Sequence, residues 1–378
     1  MKITGIRTYH PSDGIRNCIF LHVLTDEGIA GVGQPYTIGP DEGVIALIES
    51  ITPWFVGQDP SRIEWLMRRA RNNMRFPLGQ VAWSALSGIE MALWDIQGKA
   101  FNQPVYMLLG GKVRDKIRLY HGIHGDTPEK LAEDAQRLVA EGYTGLKMFP
   151  CPGYASNPWG QVVRDSARRM EAVRRAVGDS IDIAVDIHTT IVEAARAREL
   201  IEAMAPYRLF FVEEPVRPDN IATMARLREQ VRVSIATGEN LYGVTMFNEL
   251  LDAEAVDIIQ PDLCVCGGLS EAKKICAAAE AHYVTVSPHN PLGLLSTAAA
   301  VHLAASTPNF IVLEYHGDHA KPKAAFVDDP WTPVDGHFPL PTRPGLGMEL
   351  DLDAIQSHPT KPWGRGFPTY PDGAPAYI

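Results

Sequence analysis

The sequence predicts an α/β protein: an eight-stranded (β/α) barrel preceded by a smaller α+β unit. Three observations predict it. From Lys116 onward, short β-branched and aromatic runs alternate with helical patterns. Six of those runs, IDIAVDIH, RLFFVEEP, VSIATGEN, VDIIQPDL, VTVSPHNP and FIVLEYHG, end in carboxylate or imidazole residues. Taking Asp186, Glu213, Glu239, Asp262, His289 and Glu314, the gaps are 27, 26, 23, 27 and 25 residues, the period of a repeated strand–helix unit. In a closed barrel all strand C-termini face one mouth, so residues far apart in the chain converge there.

Length and composition agree. The 378 residues hold one barrel of about 200–250 residues plus a second, smaller unit. A net charge of −10 argues against a nucleic-acid or anionic-membrane surface and leaves small molecules as ligands. The N-terminal MKITGIRTYHPSDG lacks an apolar core and no run is long enough to span a bilayer, so a cytoplasmic protein is expected. The five cysteines form no framework spacing, and the lone pair Cys264 and Cys266 is read as reduced and structural.

In chain order, residues 2–10, 16–25 and 28–36 alternate polar and apolar around Gly-containing turns and predict an antiparallel meander. Helical patterns follow near 41–54, 61–73 and 80–99, the last apolar at i, i+3, i+4 and i+7. KIRLYHGI and GYTGLKMFP are the first two barrel strands. Thr127 reads as the N-cap of the helix after KIRLYHGI. With the six runs above, the strand count is eight. After Gly317 the period is lost; GLGMELD reads as one returning strand, and the Pro/Gly-rich tail as an extended surface segment.

Asp186, Glu213 and Glu239 end three successive strands. One acidic residue at such a junction is often a helix cap. Three in succession repel one another unless a cation lies between them, and oxygen-only ligation suits Mg²⁺ better than Zn²⁺. Alternation leaves open which of Glu213 and Glu214 points inward. His188 follows Asp186 by two and shares its side of the strand. Asp262 and His289 end neighbouring strands, so the carboxylate reaches the imidazole and raises its basicity. Glu314, crowded among acids, is a candidate to stay protonated and donate a hydrogen bond. A cation holding a carboxylate, a supported base and a second imidazole suit β-elimination of water from a 2,3-dihydroxy acid.

At these residues the chain resembles the enolase superfamily, in its mandelate racemase-like subgroup, and within it the acid-sugar dehydratases. DIH, VEEP, GEN, QPD with CGG following, SPHNPLG and LEY stand in the family's order. The resemblance covers essentially the whole chain. It implies a modified (β/α)7β barrel over residues 113–320, an α+β capping domain over 1–112 and a C-terminal segment, 321–378, returning to the cap. It implies one Mg²⁺ per subunit on Asp186, Glu213 and Glu239, which resolves the Glu213/Glu214 choice. It further implies Asp262–His289 as the base dyad and Glu314 near the substrate carboxylate. Where racemases carry Lys-x-Lys on the second strand, this chain has Lys147–Met148–Phe149, so the second lysine base is missing. Instead His188 sits as in galactonate dehydratase-like members, where it protonates the departing 3-hydroxyl. Lys147 is then an electrostatic or substrate contact. Loops at 11–20 and 72–80 are expected to set specificity, with Asn17, Arg75 and Phe76 as contacts and His121, His124 and His316 as further lining. The implied substrate is an acid sugar, D-galactonate first, in a homo-oligomeric enzyme. An epimerase with two opposed bases, distinguished by a substrate lacking a 3-hydroxyl, is the alternative. A metal- and ligand-binding sensor or scaffold is the non-enzyme reading, signalled by loss of a dyad or metal residue, and none is lost.

Overall fold

The computed structural model describes residues 1–378 except 38, 40, 363, 365, 367 and 378. The early alternation makes a three-stranded antiparallel sheet, β1 (Ile3–Tyr9), β2 (Phe20–Thr25) and β3 (Ala30–Gly33), shorter at β2 and β3 than predicted. Helices α1 (Asp41–Phe55), α2 (Ile63–Asn73) and α3 (Gln80–Ala100) cover one face of it. Ile3, Leu21, Val23, Ile48, Phe55, Leu66 and Ile89 form the core of this cap. Gly31 and Gly33 let β3 lie directly on α3; a Cβ at either would stand 1.9 Å from a helix carbonyl.

A short α4 (Val105–Leu108) leads into the barrel. Its units are β4 (Lys116–Gly122), α5 (Pro128–Ala140), β5 (Gly145–Met148), α6 (Trp159–Val177), β6 (Asp182–Asp186), α7 (Ala194–Met204), β7 (Val212–Glu213) and α8 (Ile221–Gln230). They continue as β8 (Ile235–Thr237), α9 (Gly243–Asp252), β9 (Ile258–Ile259), α10 (Gly268–Ala281), β10 (Thr285–Val286), α11 (Leu294–Ala305) and β11 (Leu313–Tyr315). Parallel pairing runs β10-β9-β8-β7-β6-β5-β4-β11. The ring closes where Val286 N–H donates to Asn309 O and Ile311 N–H to Val286 O, both at 3.0 Å. Seven strand–helix units and a last strand make a (β/α)7β barrel.

Strand alternation sorts the side chains. Tyr120, Ala184, Phe211, Ala236, Ile258 and Val312 fill the barrel interior. Their neighbours Leu119, Val185, Val212, Ile235, Ile259 and Leu313 pack outward against the helices. Thr127 caps α5 as predicted, accepting from Lys130 N–H. GLGMELD is not a strand. The returning strand is β12 (His337–Pro339), antiparallel to the barrel's β4, while Gly345 and Leu350 make only isolated bridges. α12 (Leu352–Ser357) and the tail then run back to the cap. No helix among the described residues is long and apolar enough to cross a membrane. All five cysteines are buried and unpaired with one another.

α3 is apolar nearly all round because the cap sheet covers one side and α10 the other. Its two buried acids dock the domains. Glu90 accepts from Leu269 N–H at 2.7 Å, Ser270 N–H at 2.8 Å and Trp94 Nε1 at 2.8 Å, so it caps α10 across the interface. Asp95 accepts from Val32 N–H at 2.9 Å and Leu346 N–H at 2.7 Å, tying β3 to the returning segment. Burial raises both carboxyls, to about 7 and about 6, against these donors. Replacing Glu90 by Gln puts an amide donor against a backbone N–H. Denaturant unfolding should then show a loss of about 1–3 kcal/mol. Unaltered stability would remove Glu90 from the docking of cap and barrel.

Candidate active site

Asp186 ends β6, Glu213 ends β7 and Glu239 lies just beyond β8. One oxygen from each comes within 4.8 Å of the others. Of the neighbouring glutamates, Glu213 shares the inward side with Phe211. Glu214 turns away with φ +43°, accepting from Thr237 Oγ1 and, at 3.2 Å, from Gly238 N–H.

Lys147, on the inward side of β5, places its ammonium 3.0 Å from Asp186 Oδ2, 3.0 Å from Glu213 Oε1 and 2.5 Å from Glu314 Oε1. Burial works against the charged ammonium, but the three carboxylates outweigh it and hold Lys147 well above its ordinary value. Its charge decides the fate of each acid. Asp186 stays far below the carboxylate range: burial opposes this, and Lys147 and His188 outweigh burial. Glu213 is pushed up to about 8 by burial first and then by Asp186. Glu314 was the acid expected to keep its proton, and the structure reverses this. Burial raises it, but Lys147, His289 and His316 hold it well below the carboxylate range, and Asn290 N–H donates to it at 2.7 Å. Glu213 is thus shifted opposite to Glu314, upward instead of downward.

His289 is buried beyond β10. Its Nδ1 lies 2.8 Å from Asp262 Oδ2, and Asp262 Oδ1 accepts from Cys264 N–H at 2.7 Å. The carboxylate thus holds the Nδ1–H, leaving Nε2 toward the cavity, 3.3 Å from Glu239 and 4.0 Å from Glu314. Tyr36 from the cap stacks on the ring at 6.3 Å. Burial disfavours the imidazolium, but Glu239, Glu314 and Asp262 raise His289 to about 10. His188 sits on the other side of the carboxylates, Nε2 2.8 Å from Asp186 Oδ2 and its ring against Phe149 at 5.5 Å. Burial lowers and Asp186 raises it, to about 9. His188 and Thr189 both have left-handed φ, +52° and +54°, a strain that marks the turn after β6.

Lys147, Asp186, His188, Glu239, His289 and Glu314 share one cavity of about 940 Å³ between barrel and cap, with Glu213 and Asp262 buried behind them. His124 and His316 line it as expected, with His316 Nε2 3.1 Å from Glu314. Four expected contacts do not. Asn17 is buried and bonded both ways to the tail, donating to Lys361 O at 2.8 Å and accepting from Lys361 N–H at 3.2 Å. Arg75 and Phe76 point into solvent, the phenyl 73 % exposed. His121 lies on the outward side of β4, packed on Tyr143 and Tyr315. The cap instead contributes Asp13, Ile15, Arg16 and Gln80, and the barrel side Arg169, Lys321 and Lys323. Arg16 neighbours the predicted Asn17, but residue order in a loop does not say which side chain faces inward. Arg169 is one arginine of an amphipathic helix and the lysines follow the last period, so neither carried a signal.

The residues fit a divalent cation. Every donor in the triad is a carboxylate oxygen, and one oxygen from each comes within 4.8 Å of the others. Lys147→Met strips the countercharge from this cluster. Thermal unfolding in chelator should show a loss of about 3–5 kcal/mol, partly restored by Mg²⁺. A variant as stable as the parent, or one indifferent to Mg²⁺, would contradict the geometry.

A cap over a (β/α)7β barrel, with a carboxylate triad facing an Asp–His pair at the mouth, defines the class: a capped barrel enzyme of carbon-acid type. The chain belongs to the enolase superfamily. Residues 8–110 match the family described as Mandelate racemase / muconate lactonizing enzyme, N-terminal domain, and 130–354 match Enolase C-terminal domain-like. The resemblance carried by DIH, VEEP, GEN and SPHNPLG is borne out. Proteins named D-galactonate dehydratase from Pectobacterium atrosepticum and Ralstonia pickettii are each 35 % identical over 100 % of both chains. A crystal structure from Agrobacterium radiobacter, provisionally named galactarate dehydratase and holding sodium and L-malate, superposes with TM-score 0.95 at 38 % identity over 100 % of both chains.

Proposed function

We propose that this chain is a Mg²⁺-dependent acid-sugar dehydratase that converts a 2,3-dihydroxy acid to its 2-keto-3-deoxy product. The observation that carries the reading is the pair of imidazoles, His289 on Asp262 and His188 on Asp186, flanking one carboxylate cluster in one cavity. The full-length similarity to proteins named D-galactonate dehydratase supports it.

Asp186, Glu213 and Glu239 would hold Mg²⁺, which supplies positive charge for the substrate carboxylate and the negative charge that develops beside it. His289 Nε2 takes the proton from C2, and Asp262 holds the ring and stabilises the imidazolium. His188, whose imidazolium the Asp186 carboxylate favours, gives its proton to the C3 hydroxyl, which leaves as water. The enol then ketonises: the C2 hydroxyl loses its proton to become the carbonyl while C3 gains one. Phe149 stands where a second lysine base would be and stacks on His188 instead. Lys147 is a fixed positive charge beside the substrate carboxylate.

The test is a screen of the purified protein with Mg²⁺ against stereochemically complete aldonates and aldarates, D-galactonate among the first, read as semicarbazones of 2-keto-3-deoxy acids. Turnover of one configuration, lost in chelator, is expected. Silence across the set with Mg²⁺ bound would sink the reading. His289→Asn should lower kcat by about 10²–10⁴-fold or more while Mg²⁺ affinity persists.

The pH profile follows from His289. Its folded value is raised, so the basic form grows as pH rises and kcat/KM climbs on the acid side. Asp262→Asn removes a raising partner. The acid limb should move to lower pH while the plateau falls about 10²–10⁴-fold. An unmoved limb would take the dyad out of the base's titration.

A further inference from the structure

The dehydratase reading gives tasks to His289 and Glu314 and none to Asn290, the residue that bonds them together. The peptide N–H that joins His289 to Asn290 donates to Glu314 Oε2 at 2.7 Å. The Asn290 side chain is fully buried, and both hydrogens of Nδ2 are engaged along with Oδ1. Nδ2 donates to the Glu314 backbone O at 3.1 Å and to Thr297 Oγ1 at 2.8 Å, while Oδ1 accepts from Ser296 Oγ at 2.6 Å. Asn290 therefore ties the loop after β10 both to β11 and to the first turn of α11. The ties continue into the cap. Gln34, one residue beyond β3 and buried, accepts from Ser296 N–H at 2.9 Å. That N–H is one of the donors a helix leaves unpaired at its start. From the barrel side, Lys323 Nζ donates to Leu292 O at 3.0 Å and holds the same loop.

Glu314 needs such a brace. Its Oε1 faces Lys147 at 2.5 Å and His316 at 3.1 Å, while Oε2 stands 4.0 Å from His289 Nε2, just outside hydrogen-bond reach. The last torsion of a glutamate is broad, so an unheld carboxylate turns easily. Turned toward the imidazole, it would make a charge-assisted hydrogen bond to the nitrogen that must receive the C2 proton. We propose that Asn290 is a positioning residue that keeps Glu314 off the base, and that Gln34 locks it in place from the cap. The proposal rests on the dehydratase reading for the role of His289 Nε2, and on the hydrogen bonds alone for the placement of Glu314. All of these bonds lie out of water, where a polar group that loses its partner finds no substitute, so the network fixes one arrangement. A competent base then requires a seated cap.

Asn290→Ala removes the side-chain ties and leaves the peptide N–H on a loosened loop. With Mg²⁺ and the acid sugar that the parent turns over, kcat should fall about tenfold to a hundredfold, while KM and the Mg²⁺ Kd stay within about twofold. Gln34→Met should lower kcat in the same direction. Gln34→Glu keeps an acceptor for Ser296 N–H and should restore it; Gln34 Nε2 has no hydrogen-bond partner among the described residues, so the carboxylate forfeits no bond. Crystal structures of Asn290→Ala and Gln34→Met should show Glu314 Oε2 within hydrogen-bond reach of His289 Nε2. Unchanged kcat, a Mg²⁺ affinity that falls along with kcat, or a Glu314 carboxylate still in its parent place would overturn the proposal. Gln34→Glu as slow as Gln34→Met would overturn the cap's share of it. Where Asn290→Ala does not fold, the two Gln34 variants carry the same test. A parent silent toward every acid sugar, with Glu314 moved onto His289 in the variants, would sink the dehydratase reading and uphold the brace.

Discussion

Four buried or half-buried carboxylates at one barrel mouth are the constraint around which this molecule is arranged. Two like charges about 4 Å apart repel by about 4 kcal/mol even at an effective dielectric of 20. The (β/α)7β ring forces the crowding, because inward residues at the ends of β6, β7 and β11 can only point at one another. The ammonium of Lys147 answers it from β5, touching Asp186, Glu213 and Glu314. That contact set holds Asp186 and Glu314 below the carboxylate range, while burial and Asp186 push Glu213 up and the neighbouring carboxylates raise both imidazoles. A divalent cation at the same carboxylates offers the same compensation with stronger polarising power.

The cap is built to hold a loop against that mouth. Its longest helix is buried on both sides, and Glu90 and Asp95 give their oxygens to backbone N–H groups of the barrel and the returning segment. The cap loop is braced from outside. Asn17 pairs with Lys361, Ser12 N–H donates to His358 O at 3.1 Å, and Thr360 Oγ1 donates to His10 O. The C-terminal segment thus fixes the loop that carries Arg16, and Lys321 and Lys323 at its start line the cavity.

What could be read from sequence follows from what periodicity determines. Asp186, Glu213, Glu239, Asp262, His289 and Glu314 were legible as a group because strand period and barrel closure leave them nowhere else to go. His121 was misplaced by one residue of phase: Tyr120 takes the inward side of β4 and His121 the outward one. Phase within a strand needs a fixed reference, and KIRLYHGI offers apolar residues on both sides. Asn17, Arg75 and Phe76 were loop residues, where no period says which side chain turns in. The proton state of Glu314 failed for another reason. It depends on a lysine two strands away, across β4, and a pairwise distance of 2.5 Å is invisible in a chain where the partners stand 167 positions apart. The returning strand was placed at GLGMELD on apolar alternation; the edge of β4 instead takes the short HFP of β12.

The two imidazoles share a raised basicity but differ in surroundings, and the difference favours elimination over racemisation. A racemase needs two bases of equal reach, each able to take and return the same proton in turn. Here His289 is buried, clamped by Asp262 and covered by Tyr36, so its proton is held out of contact with solvent. His188 is half-exposed on a left-handed turn and backed by Phe149. A dry base suits abstraction from carbon, where the developing negative charge must be met by fixed groups and not by solvent. A wet acid suits a group that leaves as water and must escape. The absent second lysine completes the asymmetry: on the wall where a racemase has a base, this chain has an aromatic ring stacked on His188.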